Sequence, residues 1–332
     1  MASSPRGARV SARRLCRSAI LPLVVADVVL AVMVDSVQRG MGVFGVVGKL
    51  SGMGRSEAVE RIGLNVPAIT AGFLEAEYHK VEVVQQTGST NTDLLDAVRG
   101  GEVDADLVAL LAEEQTAGRG RLGRSWGAPP RSQIIMSVAA EVTGVHGDLL
   151  GLLPLLAGLA VRAALVEVLG QPAGPVVGLK WPNDVLLGGL KVGGILVELA
   201  QHRPVAVIGI GVNYDLLPEE LPVEHATSLC LQPAGAMPTR TEVTLAIARH
   251  LAAELQRWRA LGGAPEVVLP RYRLACVSLG ADVRAGDTVG RAEDVARNGG
   301  LVVRTAAGPV TVVSGEVVHQ FGVLGRAGCA DG

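Results

Sequence analysis

Nine residues, Gly118-Arg119-Gly120-Arg121-Leu122-Gly123-Arg124-Ser125-Trp126, concentrate more chemical capacity than any other stretch of the chain. Guanidinium groups bind phosphate or carboxylate through paired hydrogen bonds. Interleaved glycines let a backbone close tightly over what it binds. Such a loop suits an anionic substrate that has to be covered against water. Gly118 to Gly123 also satisfies the dinucleotide-binding pattern GxGxxG, but that pattern works only where the glycines open a helix. Here Trp126-Gly127-Ala128-Pro129-Pro130 follows, so the reading is rejected. The plain alternative is a solvated arginine–glycine loop, of the kind that binds single-stranded nucleic acid.

Four further segments place polar groups at the ends of apolar runs. Lys180-Trp181-Pro182-Asn183-Asp184 clusters a cation, an amide and a carboxylate. Asp184 offers the hard oxygen that Mg²⁺ prefers, against the alternative of an ordinary strand-to-hairpin junction. Lys191-Val192-Gly193-Gly194-Ile195-Leu196-Val197-Glu198 starts an apolar strand with a lysine and carries two glycines that permit close approach. Gly209-Ile210-Gly211-Val212-Asn213 ends another strand, where a glycine bulge would explain the glycines equally well. Ser89-Thr90-Asn91 reads first as a helix cap, a position that can also contact a ligand.

The chain lacks the usual signs of several other chemistries. Its four cysteines (Cys16, Cys230, Cys276, Cys329) are scattered, as are its six histidines, and neither CxxC nor HExxH occurs. A structural zinc site or disulfide framework is therefore not expected, and a reduced, cytoplasmic protein is. A net charge of −2 and a pI near 6.3 lack the basic footprint of a nucleic-acid binder.

These segments need elements to position them. With aromatics at 3% of residues, the core must come from Val, Leu, Ile and Ala. We read strands over residues 81–86, 106–113, 134–142, 176–181, 185–187, 191–200 and 205–214. Gly188-Gly189 marks a hairpin turn. A short helix follows Thr90, with Asp93 as an approximate capping box, and stops at Gly100-Gly101. Residues 149–169 are apolar almost all round and read as a buried core helix, better than as a membrane span. Helices are expected over 241–261 and 265–275, and short strands with glycine turns from 277 to 321. Strands in series with segregated helices predict an α+β fold.

Taken in order, Ser89-Thr90-Asn91, Gln115-Thr116-Ala117-GRGRLGRSW, KWPND, the Lys191–Glu198 segment and the Gly209–Asn213 segment resemble the catalytic domain of the biotin–protein ligase family. The resemblance extends more loosely from about Arg61 to Phe321. It implies a class II aminoacyl-tRNA-synthetase-like, biotin–lipoate ligase catalytic domain over 55–270 and an SH3-like β-barrel over 271–325. It also implies the reaction: biotin and Mg·ATP give biotinyl-5′-AMP and pyrophosphate, and a lysine of an acyl-CoA carboxylase's biotin carboxyl carrier domain then displaces AMP. By resemblance, Ser89, Thr90, Asn91, Gln115, Gly118, Arg119 and Gly120 line biotin. Lys191 bridges the biotin carboxylate and the α-phosphate, with Arg119 and Arg121 as its catalytic companions. Gly194 and Gly209, with Gly211, let ligand lie against the strands. Arg121, Arg124, Trp126, Lys180, Asn183, Gly211 and Asn213 serve the nucleotide, and Asp184 the Mg²⁺.

The required residue types agree with this chemistry. A carboxylate is already ionised at neutral pH, so its activation needs cations and not a general base. The base for the acceptor lysine is left unassigned. Residues 1–54 carry five early arginines, an apolar run over 19–34 interrupted by Asp27, and then frequent glycines. We expect a dispensable extension, or translation from upstream of a start at Met41 or Met53, and neither a secretory signal nor a DNA-binding domain. Partners are thus biotin, ATP and the carrier domain, with no nucleic acid and no membrane. The segment 281–297 is shorter than the family's first barrel hairpin, which weakens the expectation that the barrel helps to close over ATP or to dock the carrier. The competing readings are a lipoate or octanoate ligase of the same fold, which GRGRxGRxW plus KWPND disfavour, an arginine–glycine nucleic-acid module, and a biotin sensor without catalysis.

Overall fold

The computed structural model describes residues 60–103, 106–170, 176–232, 237–315 and 317–319. The expected extension over 1–54, and the last residues of the expected barrel, lie outside them. From Arg61 onward the described residues form one compact unit. Its elements are α1 (Val66–Glu75), β1 (Lys80–Val84), α2 (Thr90–Gly100), β2 (Val108–Ala112), β3 (Gln133–Glu141), α3 (Leu153–Leu169), β4 (Val177–Lys180), β5 (Asp184–Leu187), β6 (Leu190–Leu199), β7 (Val205–Asn213), α4 (Arg240–Ala260), α5 (Pro265–Ala275), β8 (Asp282–Ala285), β9 (Thr288–Val295), β10 (Leu301–Thr305), β11 (Gly308–Val312) and β12 (Val317–His319).

The first seven strands make one sheet in the order β1-β2-β3-β7-β6-β5-β4. Only β1–β2 is parallel; the other pairs are antiparallel. Alternation along the strands gives the sheet two faces. Ile134, Met136 and Val138 of β3 and Ala206, Ile208, Ile210 and Val212 of β7 turn to a core shared with α3 and α4. Helix α3 is the long apolar segment read from the sequence, with ten of its residues buried, so its hydrophobicity serves the core. The opposite face receives α2, whose Leu94, Leu95 and Val98 pack on Val108, Ala139, Val205 and Val207. That helix ends as expected at Gly101, in the left-handed conformation. Its start differs: Asp93 forms no capping box and instead accepts from the Thr87 hydroxyl.

The last five strands form a separate antiparallel sheet, ordered β11-β10-β9-β8-β12. The short segment doubted above is a fully paired β8–β9 hairpin. This sheet is seated on the seven-stranded sheet through Trp181, which is 1% exposed. The Trp181 indole N–H donates to Gly299 O (2.8 Å), and its backbone N–H donates to Ser278 Oγ (3.1 Å). Nearby, Leu179 bridges Cys276, and Gly151 lies against the Asn298 carbonyl too closely for any side chain at 151.

Candidate functional site

A cavity of about 460 Å³ opens on the α2 side of the large sheet. Its floor follows the two-residue repeat of the strands: Ile135 and Ser137 on β3, Gly209, Gly211 and Asn213 on β7, Gly194 and Leu196 on β6. Of the residues singled out in the sequence, all but Gly118 line it. Segments spread over the 125 residues from Ser89 to Asn213 thus converge on one site.

One end is neutral and hydrogen-bonding. Ser89, Thr90 and Asn91 are buried at the start of α2. Ser89 gives no side-chain cap. Gln115 takes that part, its Oε1 accepting from Thr90 N (2.8 Å) and Thr90 Oγ1 (3.0 Å). Thr90 Oγ1 lies 2.8 Å from Ser137 Oγ, and Ser137 Oγ donates to Asn91 Oδ1 at 2.9 Å. Buried groups so interlinked hold fixed positions, and a small polar ring is read by such fixed donors and acceptors.

Cations dominate the other end. Arg119, Arg121, Arg124, Lys180 and Lys191 line the cavity, with Asp184 the single carboxylate among its described lining residues. Lys191 Nζ is 2.5 Å from Asp184 Oδ1 and 5.7 Å from the centroid of the Trp126 ring, within reach of its π face. The backbone of Lys191 is clamped by the 225–227 segment: its N–H donates to His225 O and its O accepts from Thr227 N, both at 2.8 Å. Burial pulls the Arg121 guanidinium below its ordinary pKa, and the charge of Asp184 opposes that. Asp184 pairs with Gly194, and Asn183 is fixed by its Nδ2 donating to Ile195 O at 2.8 Å, which leaves its carbonyl oxygen beside the Asp184 carboxylate in sequence. Among the described residues no cluster of three or more His, Cys, Asp or Glu could hold a metal on its own.

The arginine–glycine segment is a flap. Gly120 N donates to Arg124 O (2.7 Å), Trp126 N donates to Gly118 O (2.8 Å), and Arg119 bridges Ser125. A single 3-10 turn, Arg121–Gly123, forms its tip, with Leu122 at φ +56° and 71% exposed. The predicted absence of a regular helix after Gly123 is what the structure shows.

Three expectations change in detail. Gly118 is buried behind the cavity and does not line it; a Cβ there would stand 2.1 Å from Trp126 O and 2.5 Å from Gln115 Nε2, so its smallness lets the flap cross its own base. The space over Gly209 is filled by Asn91 Oδ1, and that over Gly211 by the Trp126 indole; these glycines make room for the chain's own side chains. Asn213 lines the cavity, but its amide is committed at both ends, accepting from Gln133 Nε2 and donating to Thr227 O, each at 2.9 Å.

Sequence reasoning passed over several residues in and beside the cavity. Ser137 was detectable as a lone hydroxyl inside the apolar strand Gln133–Glu141. Glu198 closes the quoted β6 segment and shares the face of Gly194 and Leu196. Pro222, Val223, His225 and Ala226, and Gly315 with Val317 from the C-terminal sheet, also line the cavity and carried no sequence signal.

The chain matches the model of the biotin/lipoate A/B protein ligase family over residues 83–215 and that of the biotin protein ligase C-terminal domain over 281–320. It is 42% identical to the biotin–[acetyl-CoA-carboxylase] ligase of Mycobacterium tuberculosis over 247 residues, 73% of this chain and 90% of that protein. The ligase of the same name from Paracoccus denitrificans is 31% identical, over 71% of this chain and 98% of its own length. The fold superimposes on a biotin protein ligase from Aquifex aeolicus, solved with biotin and ATP, with a TM-score of 0.60 and 28% identity over 73% of this chain and 99% of that one. The two family matches, the relative aligned along nearly its full length and the α+β fold with its C-terminal antiparallel sheet agree: the chain belongs to the biotin protein ligase family.

Proposed function

We propose that this chain activates biotin with ATP to biotinyl-5′-AMP and transfers it to a lysine of a biotin carboxyl carrier domain of an acyl-CoA carboxylase. The observation that carries the reading is the make-up of this cavity's lining. A buried neutral network at Thr90, Asn91, Gln115 and Ser137 suits a ureido ring, and the five cations suit a carboxylate and a triphosphate. Two relatives whose names state biotin–acetyl-CoA-carboxylase ligation support the choice of carrier.

The first step must bring two anions into contact. Lys191 and Arg121 supply positive charge where the carboxylate meets the α-phosphorus, and prearranged charge in a partly desolvated site costs no reorganisation at the moment of reaction. The ammonium of Lys191 can turn from Asp184 to the incoming anions, since both share one wall. Trp126 lies flat along Gly194 and Gly211 and offers its face to an adenine. Arg124 and Lys180 hold the phosphates. Magnesium fits this donor set: it takes one or two carboxylates and completes its shell with phosphate and water, and Asp184 with the Asn183 carbonyl gives hard oxygens. When bound it supplies charge neutralisation to the phosphates. In the second step the neutral amine of the carrier lysine attacks the mixed anhydride, the new amide C–N bond forms as the C–O bond to AMP breaks, and the amine proton leaves to solvent or a nearby base. The free thiols Cys230 and Cys276 suit a reducing, cytoplasmic setting.

The test is incubation with labelled ATP and biotin, then with a carrier domain. Biotin-dependent AMP and pyrophosphate, and a carrier mass shift of one biotin, are expected. A shift with octanoate or lipoate and none with biotin refutes the reading in favour of the other branch of this fold.

A further inference from the structure

Glu198 touches two residues of the binding site from outside the cavity. It shares a strand face with Gly194 and Leu196, and its side chain is 28% exposed. Its Oε2 accepts from Asn91 Nδ2 at 2.7 Å. Both of its oxygens accept from Arg119 Nη2, at 3.2 and 3.3 Å. Asn91 in turn holds Ser137, and Ser137 meets Thr90, which is bound to Gln115. One carboxylate thus joins a glycine-rich flap, whose Arg119 side chain is half exposed, to the hydrogen-bonded polar network on the floor.

We infer that Glu198 is a positioning residue that latches the Arg119 flap to the biotin end of the cavity, and thereby sets how tightly the activated intermediate is retained. The inference rests on the functional reading above. A flap of glycines has no packing core to hold it shut. Arg119 forms an ion pair with Glu198, and a charge-assisted bond of this kind is stronger than a neutral one. The same carboxylate orients the Asn91 amide, with its nitrogen on Glu198 and its oxygen on Ser137. Neutralising Glu198 loosens the flap and lets that amide turn over, while leaving Lys191, Asp184 and Arg121 where they are.

The experiment compares the wild-type chain with Glu198→Gln, Arg119→Gln and the double variant. Read-outs are biotin-dependent ATP–pyrophosphate exchange and the rate at which preformed biotinyl-AMP escapes in rapid filtration. We expect Glu198→Gln to raise the KM for biotin and the escape rate by roughly tenfold each, the loss expected for one charge-assisted bond. The kcat of exchange should stay within about threefold, a split that a simple loss of folding does not give. The losses in the double variant should be clearly less than additive, since the latch acts through Arg119 and only the Asn91 contact is independent of that residue. Unchanged KM and escape in Glu198→Gln overturn the inference, as do additive losses in the double variant or a parallel fall of kcat and thermal stability. Should Glu198→Gln not fold, Glu198→Asp carries the same test, because it keeps the charge and shortens its reach. Wild-type protein without biotin-dependent exchange refutes the functional reading and the latch together; active wild type with a silent Glu198→Gln refutes the latch alone.

Discussion

Substituting Gly211 by alanine isolates the placement of Trp126 from the stability of the fold. Gly211 lies within β7, paired with Ile135 on one side and Gly194 on the other. Its backbone is ordinary extended strand, so alanine fits the main chain and removes the entropic cost of glycine, about 0.5–1 kcal/mol in favour of folding. The added methyl would stand 2.5 Å from Cε2 and Nε1 of Trp126 and 2.7 Å from Cζ2, where ordinary contact begins at 3.4 Å. The indole must retreat by about 1 Å, and a displacement of that size at a reacting site costs on the order of 100-fold, about 2.7 kcal/mol. We expect kcat/KM for ATP in biotin-dependent pyrophosphate exchange to fall by that order while the melting temperature holds or rises. Trp181 and Trp258 are 1% and 0% exposed, so the half-buried Trp126 dominates any ligand-induced change in tryptophan fluorescence. Unchanged ATP kinetics together with an unchanged fluorescence response would refute the reasoning, because the indole would then have no part in the nucleotide site.

Other perturbations probe separate parts of the structure. Lys191→Ala removes charge aimed at the reacting centre and should slow adenylate formation by roughly 100- to 1,000-fold in single-turnover assays, with folding intact by circular dichroism; near-normal pyrophosphate release would count against its role. Glu113→Ala leaves the buried guanidinium of Arg240 without its carboxylate, each being 4% exposed, and should cost about 3–5 kcal/mol in urea titrations; a loss under about 1 kcal/mol would show that the pair is not desolvated. Glu167 on α3 is held below the usual carboxylate range, first by its hydrogen bond to His250 and then by Arg249. Its folded pKa lies below its unfolded one, so this stabilisation exists above the unfolded value and fades as the pH falls through the folded one. Melting temperatures across that acid range should therefore fall more steeply for wild type than for Glu167→Gln, and parallel curves would contradict the assignment.

The legibility of the sequence followed the range of the interactions involved. Local signals held well: the paired glycines at 188–189 turn the β5–β6 hairpin, Gly101 ends α2, and the predominantly apolar 153–169, with Arg162 and Glu167 its only charges, is a core helix. Those features depend on neighbours within a few residues. Asp93 misled because a capping box and a hydrogen bond to Thr87 compete for one carboxylate, and the second requires knowing where the preceding strand ends. The ordered motifs located the cavity because strands carry every second residue to one face. They could not show which residue fills the space above each glycine: Gly209 and Gly211 look like ligand platforms until Asn91 and Trp126 are seen lying on them. The wall formed by His225 and Ala226 arises from a bridge to Lys191 across 35 residues of sequence, and no local pattern encodes it.

Trp181 belongs to the most recognisable motif of the site, yet its indole is buried and spends its only donor on a carbonyl of the terminal sheet. Whatever is bound at Lys180, Asn183 and Asp184 is therefore supported from beneath by residues more than a hundred positions later. A deletion series that trims the chain back toward α5 would strip that support and leave a large aromatic surface bare. Lost activity in such truncations speaks first of a collapsing floor, and only afterwards of anything the removed strands accomplish by themselves.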